Sequence, residues 1–225
     1  MNPNIWILTI LVSLLCLGGC KSGSIEKDRR TAQFNPNLLK LNEAPVAKYE
    51  IPIEFIDVDA SDFQVEVKAR YVVTTDACVA IDYGAALGGL ALKPEQSLKL
   101  PVNKVAGNLF TTHVSLDAIM DGNYFGQGTC KWALDAVSVH FFAGERTFVA
   151  GIDKTSIEQG LAQAQYFLKS DINASSDLSQ FVFGEQKNFY KKELGPQFQV
   201  VLRATKVTNT LSSDLNRGRL QAATR

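Results

Sequence analysis

The sequence predicts an all-β fold, mainly antiparallel, arranged as a β-sandwich with one or two short helices. Three observations point to it. Apolar and polar residues alternate with period two over several stretches, as in a strand that buries one face. Thirteen Phe and six Tyr, interleaved with Val and Thr, suit a pleated, half-buried surface. The spacing of the alternating stretches fits a sandwich rather than a parallel sheet with crossover helices.

The chain opens differently. Ile5 to Leu17 is apolar apart from Thr9 and Ser13, too short for the roughly 20 residues that span a bilayer and suited to the core of a signal peptide. Leu17-Gly18-Gly19-Cys20 follows, and Lys21 begins a polar stretch. These four residues resemble the lipobox of bacterial lipoproteins. The resemblance implies that residues 1–19 are cleaved and that Cys20 is acylated, holding the protein on a membrane without crossing it. One departure stands out: MNPNIW has no Lys or Arg, so only the amino terminus supplies positive charge. An uncleaved anchor or a core strand is the competing reading, and the polar switch after Cys20 speaks against it. Lys21 rather than Asp, by resemblance to enterobacterial sorting, implies a periplasmic protein on the outer more than the inner membrane.

No charged residue precedes Lys21, so the mature chain keeps 23 Lys+Arg and 23 Asp+Glu. A net charge of zero gives no reason to expect nucleic acid as a partner. About 200 residues suffice for one substantial core. Residues 20–45 read as a lipidated tether, with a coil reach of roughly 25–30 Å for its 25 residues after Cys20, although Asn37–Leu41 has the composition to pack back. Residues 46–206 read as the sandwich domain and 207–225 as a polar C-terminal tail.

Within the domain, Ala47–Val58 alternates cleanly, with Ala47, Tyr49, Ile51, Ile53 and Phe55 on one face; Pro52 suggests an edge strand. Phe63–Val73 places Phe63, Val65, Val67, Ala69, Tyr71 and Val73 opposite Gln64, Glu66, Lys68 and Arg70. Ser97–Val102 and Leu109–Leu116 read as strands around a Lys104–Asn108 turn. In Thr129–Phe141 the apolar face slips by one residue between Leu134 and Val137, which predicts a bulge at Asp135-Ala136. Arg146–Ile152 and Gln197–Lys206 complete the strands. Ser156–Gln159 reads as a capping box opening a helix with Ile157, Leu161, Ala164 and Leu168 on one face, while Gln165–Lys169 fits a strand equally well.

With Cys16 removed and Cys20 acylated, Cys78 and Cys130 remain. In an oxidising envelope a disulfide is their simplest pairing; a metal or catalytic thiol is the rival, and neither has a Cys or His at ligand spacing. The Cys78…Cys130-Lys131-Trp132 pattern resembles the disulfide beside a buried tryptophan of immunoglobulin domains. There, however, the Trp follows the first cysteine, so the resemblance implies only an immunoglobulin-like architecture in the broad sense.

No catalytic, metal or cofactor site is expected. Gly84–Leu90 lacks the Lys-Ser/Thr of a phosphate loop. There is no G-x-S-x-G motif, and the histidines, His113 and His140, stand singly on polar strand faces. The loop Asp117–Gly128 carries Tyr124 and Phe125 between glycines; they are candidate partner-binding aromatics, or else an inward cover for the core.

The segments VEVKARYVVTTDACVAIDY, DGNYFGQGTCKW and VFGEQKNFYKKELGPQF resemble a group of proteobacterial lipoproteins, some encoded beside type VI secretion components and their antibacterial effectors. The resemblance spans about residues 47–206. It implies an immunity protein that binds and occludes an incoming toxin, with no chemistry of its own. A structural or assembly lipoprotein of the envelope, or one that binds a small molecule, are the alternatives.

Overall fold

The computed structural model describes residues 39–82, 90–126, 128–143, 146–174, 181–187, 189 and 194–208. The signal peptide, the acylation of Cys20, the glycine loop at 84–89 and the tail beyond residue 208 fall outside them.

Two sheets face each other. The first is antiparallel throughout and contains, in spatial order, β10 (Ala162–Leu168), β12 (Gln197–Arg203), β1 (Lys48–Ile56), β7 (Leu109–Ser115) and β6 (Val102–Ala106), with the short β13 (Thr205–Lys206) also on β1. The second runs β11 (Phe181–Phe183), β9 (Arg146–Asp153), β8 (Trp132–Ala143), β2 (Gln64–Val73) and β5 (Glu95–Leu100); only β11 joins its neighbour in parallel. A small hairpin pairs β3 (Ala80–Asp82) with β4 (Leu90–Leu92).

The core lies where the period-two faces meet. Tyr49, Ile51, Ile53 and Phe55 of β1 are buried against Val67, Ala69, Tyr71 and Val73 of β2 and Val137, Val139 and Phe141 of β8. Phe141 is the hub. Its ring lies 5.1 Å from Phe55, 5.6 Å from Phe63, 5.1 Å from Phe148 and 5.3 Å from Phe167, so one side chain joins both sheets. The bulge falls where the apolar slip places it: Arg70 faces Ala136 and Tyr71 faces Leu134, leaving Asp135 as the extra residue.

Three expectations need correction. Pro52 is not on an edge, because β1 lies at the centre of its sheet. Phe55 donates its N–H to Asn108 on the β7 side, and alternation then points the missing N–H of Pro52 towards β12 and β13. There the partner strand breaks: β12 ends at Arg203 and β13 resumes at Thr205 in the same register. A central proline is tolerated because the opposing ladder is interrupted.

The Ser97–Val102 strand is likewise divided. Pro101 separates β5 from β6, and the chain passes from the second sheet to the first at that residue; the buried Thr112 hydroxyl donates to the Pro101 carbonyl at 2.8 Å. β6 then extends to Ala106, narrowing the reversal to Gly107-Asn108.

The helix, α1 (Lys154–Gln159), has only six residues and starts earlier than its expected capping box. Asp153 is the cap: its carboxylate accepts from the Ser156 N–H at 2.9 Å and from the Ser156 hydroxyl at 3.0 Å. Gly160, at φ 65°, ends the helix. Ile157 is buried but Leu161 is half-exposed, and residues 162–168 are strand.

Both flanks of the sandwich are joined. On one, β5 and β6 are consecutive through Pro101. On the other, Glu185, just past β11, exchanges two backbone hydrogen bonds with Tyr166 of β10, at 2.9 and 3.1 Å. The close approach there requires glycine: a Cβ on Gly184 would stand 2.7 Å from the Phe167 ring.

Candidate functional site

At one end of the molecule the disulfide Cys78–Cys130 joins the turn after β2 to the loop before β8, with a Cα–Cα distance of 5.9 Å. Both cysteines are buried. Trp132 lies two residues further on, beneath the ring of Tyr124, at 6.2 Å in an edge-to-face contact. Tyr124 is half-buried. Its hydroxyl donates to the Met120 carbonyl at 2.7 Å, and Gly122 leaves room for its ring, since a Cβ there would lie 3.1 Å away. Phe125 is also half-buried against the core. Both sequence-predicted aromatics therefore cover this end of the sandwich, with part of each ring still reachable.

The chain before β1 wraps the same end. Residues 40–42 pair with 118–120 through the Asn42 N–H to Ala118 and the Met120 N–H to Lys40, each at 2.9 Å. The Asp117 carboxylate accepts from the Val46 N–H at 3.0 Å, the Ala47 N–H at 3.3 Å and the Asn42 side chain at 3.3 Å. Leu39 packs on the core, so residues 39–41 of the Asn37–Leu41 stretch lie on the domain, and the first two fall outside the described residues. A strap of residues 39–47 thus closes the disulfide end.

The outer face of the second sheet carries the polar chemistry. His140 is half-buried on β8 beside Glu66 of β2, and its Nε2 lies 3.1 Å from the Ser138 hydroxyl. Burial disfavours its charged form, Lys68 adds to that, and Glu66 opposes; its pKa is lowered from the usual histidine value. Ser, His and acid are therefore adjacent, on a sheet face where β8 is paired on both sides, with β2 and with β9. Around them Lys99 pairs with Glu66 at 2.8 Å, and Arg70 pairs with Asp135 and, at 3.8 Å, with Glu95. His113 is exposed on β7, opposite Glu50 on the first sheet, and so far from His140 in the fold that the two histidines share no site. Among the described residues no three His, Cys, Asp or Glu are grouped to hold a metal ion, and no helix is long and apolar enough to cross a membrane.

The same face is aromatic along its other side. In the β11–β9–β8 register Phe181 faces Thr147, which faces Phe142; Phe183 faces Val149, which faces His140. Val182 and Gly184 take the inward positions, so Phe181 and Phe183 point out, 48% and 64% exposed, next to half-buried Phe142 and Val149. Sequence reasoning missed this patch. β11 is three residues long, too short for a period to register, and a Phe pair is ordinarily assigned to the core. The signal was Gly184, whose small size marks the inward position and so turns its neighbour outward.

A shallow recess of about 540 Å³ lies at the ends of β1 and the β6–β7 turn, lined by Glu54, Phe55, Asp57, Asn108 and Leu109 among others. Asn108 is committed there, accepting from the Ala60 N–H at 2.9 Å and donating to Val58 at 2.6 Å. No family model, curated protein or solved structure matches the chain.

Proposed function

We propose that this chain is a lipid-anchored protein of the bacterial envelope that binds a protein partner on the outer face of its second sheet. The observation that carries the reading is the outward pair Phe181 and Phe183 beside Phe142 and Val149. Exposed aromatics held on a rigid sheet are what central contacts of protein interfaces are made of, and the neighbouring ion pairs supply a polar rim. The lipobox ending at Cys20 supports the anchor, and the Cys78–Cys130 disulfide suits an oxidising compartment. The resemblance to lipoproteins encoded beside type VI effectors narrows the partner to a toxin: the protein is immunity-like, and occludes an antibacterial effector in the periplasm without catalysis.

Co-culture tests this. Cells lacking the protein should die beside a toxin-bearing sibling, wild-type protein should rescue them, and a Phe181→Ser/Phe183→Ser variant that folds normally should fail to. Equal survival with and without the protein removes the immunity role. Detergent sensitivity of the deletion strain in pure culture would assign the protein to envelope assembly instead.

A further inference from the structure

We infer that the partner presents a carboxylate to Lys68 and Lys99, two cations set side by side next to the aromatic rows of the second sheet. The inference rests on the partner site proposed above and gives that partner a chemistry: an apolar surface with an acidic side chain beside it.

The register fixes the layout. Phe183, Val149, His140 and Glu66 form one cross-strand row of the outer face, and Gly151, Ser138, Lys68 and Lys99 form the next. Val73 donates to the Pro94 carbonyl at 3.0 Å, so alternation makes Lys68 and Lys99 a pair without mutual hydrogen bonds, with Cα atoms about 4.5 Å apart. Like charges directly opposite each other destabilise a sheet. Lys99, its side chain 67% exposed, turns to Glu66 at 2.8 Å, while among the described residues Lys68 makes no ion pair. The Lys68 charge reaches His140, whose pKa is lowered by burial first and by Lys68 second. On the side nearest the aromatics, two ammonium groups therefore stand against one carboxylate. On the far side the balance reverses, with Arg70 against Asp135 and Glu95. The free domain carries the lysine pair as a local conflict, and a carboxylate arriving at Lys68 resolves it. Three strand spacings and one row separate Phe183 from Lys68, roughly 16 Å, so one ordinary interface of about 800 Å² a side covers both.

The partner meets this face with side chains, not by adding a strand. The same alternation turns the Ser97 N–H and C=O to the open edge of β5, but Gln96 donates to that carbonyl at 3.1 Å, and Pro94 and Pro101 flank the strand. The opposite edge runs into β10 through the Tyr166–Glu185 bonds.

The probe is the purified effector that kills the deletion strain in co-culture, bound to the full mature chain in detergent micelles. Lys68→Glu should weaken binding by about 100-fold and Lys68→Met by about tenfold. Lys68→Arg should bind as the wild type does, and the fall in affinity with added salt should be shallower for Lys68→Met. Without effector, Lys68→Met should unfold at a denaturant midpoint no lower than the wild type, because the stem is kept and the conflict removed. Effector that binds Lys68→Glu as tightly as the wild type overturns the inference and leaves the partner site standing. A lowered midpoint for Lys68→Met also overturns it, since the lysine then serves the fold. A dimer of the mature chain that Lys68→Glu dissociates would give the site to a second copy and overturn the acidic partner. A deletion strain that survives, or wild-type protein that binds no effector, removes the partner reading and the inference together.

Discussion

His140 shows how one side chain reports on its surroundings. Its imidazole is half-withdrawn from water on β8, beside Lys68 and Glu66, and burial holds its pKa below the ordinary value near 6.5. The unfolded chain binds the proton more readily, so between the folded and unfolded pKa values unfolding takes up a proton, and stability falls as the pH drops below about 6.5. The lowered carboxylates, Asp59, Glu66 and Asp153, act in a more acid window. Denaturant midpoints measured near pH 7.5 and near pH 5.5 should therefore differ more for the wild type than for His140→Gln. The same difference in both proteins would show that His140 is not the group responsible.

At the scale of elements, α1 depends on its cap. Six residues are too few to sustain a helix alone, and Asp153 satisfies the Ser156 N–H while also receiving Gln163 Nε2 at 2.5 Å from β10. Asp153→Ala should cost about 0.5–2 kcal/mol, and Asp153→Asn should recover most of it; equal losses by chemical denaturation would mean that the charge, not the cap, matters. The sequence locates this helix only loosely because Asp153 and Ser156 both have capping chemistry, and only the backbone decides between them. Strands with one buried face were legible residue by residue, down to the bulge at Asp135, because a pleat converts burial directly into alternation. Whether a strand is central or at an edge is a property of its neighbours, which is why Pro52 pointed the wrong way. The aromatic face was hidden for a related reason. Exposure of Phe181 and Phe183 follows from the pairing of β11 with β9, a contact across more than thirty intervening residues.

At the scale of the whole molecule, the disulfide closes a loop of 52 residues, which the chain-entropy model values at about 4 kcal/mol as an upper figure. Cys78→Ser/Cys130→Ser should lower the stability of the domain by about 2–4 kcal/mol and loosen the Tyr124–Trp132 end first; hydrogen exchange that rises uniformly across both sheets would contradict that order. The strap at this end also decides how the domain meets a mechanical load. A pull on the chain before Leu39 acts first on the ribbon at 118–120 and on the Asp117 contacts, where bonds yield singly, as a zipper opens. Only then does tension reach β1, whose hydrogen bonds to β7 on one side and to β12 and β13 on the other lie across the pull and resist together in shear. The fold therefore has a yielding lead-in ahead of β1, and a pull at Leu39 can free several residues while the sandwich stays intact.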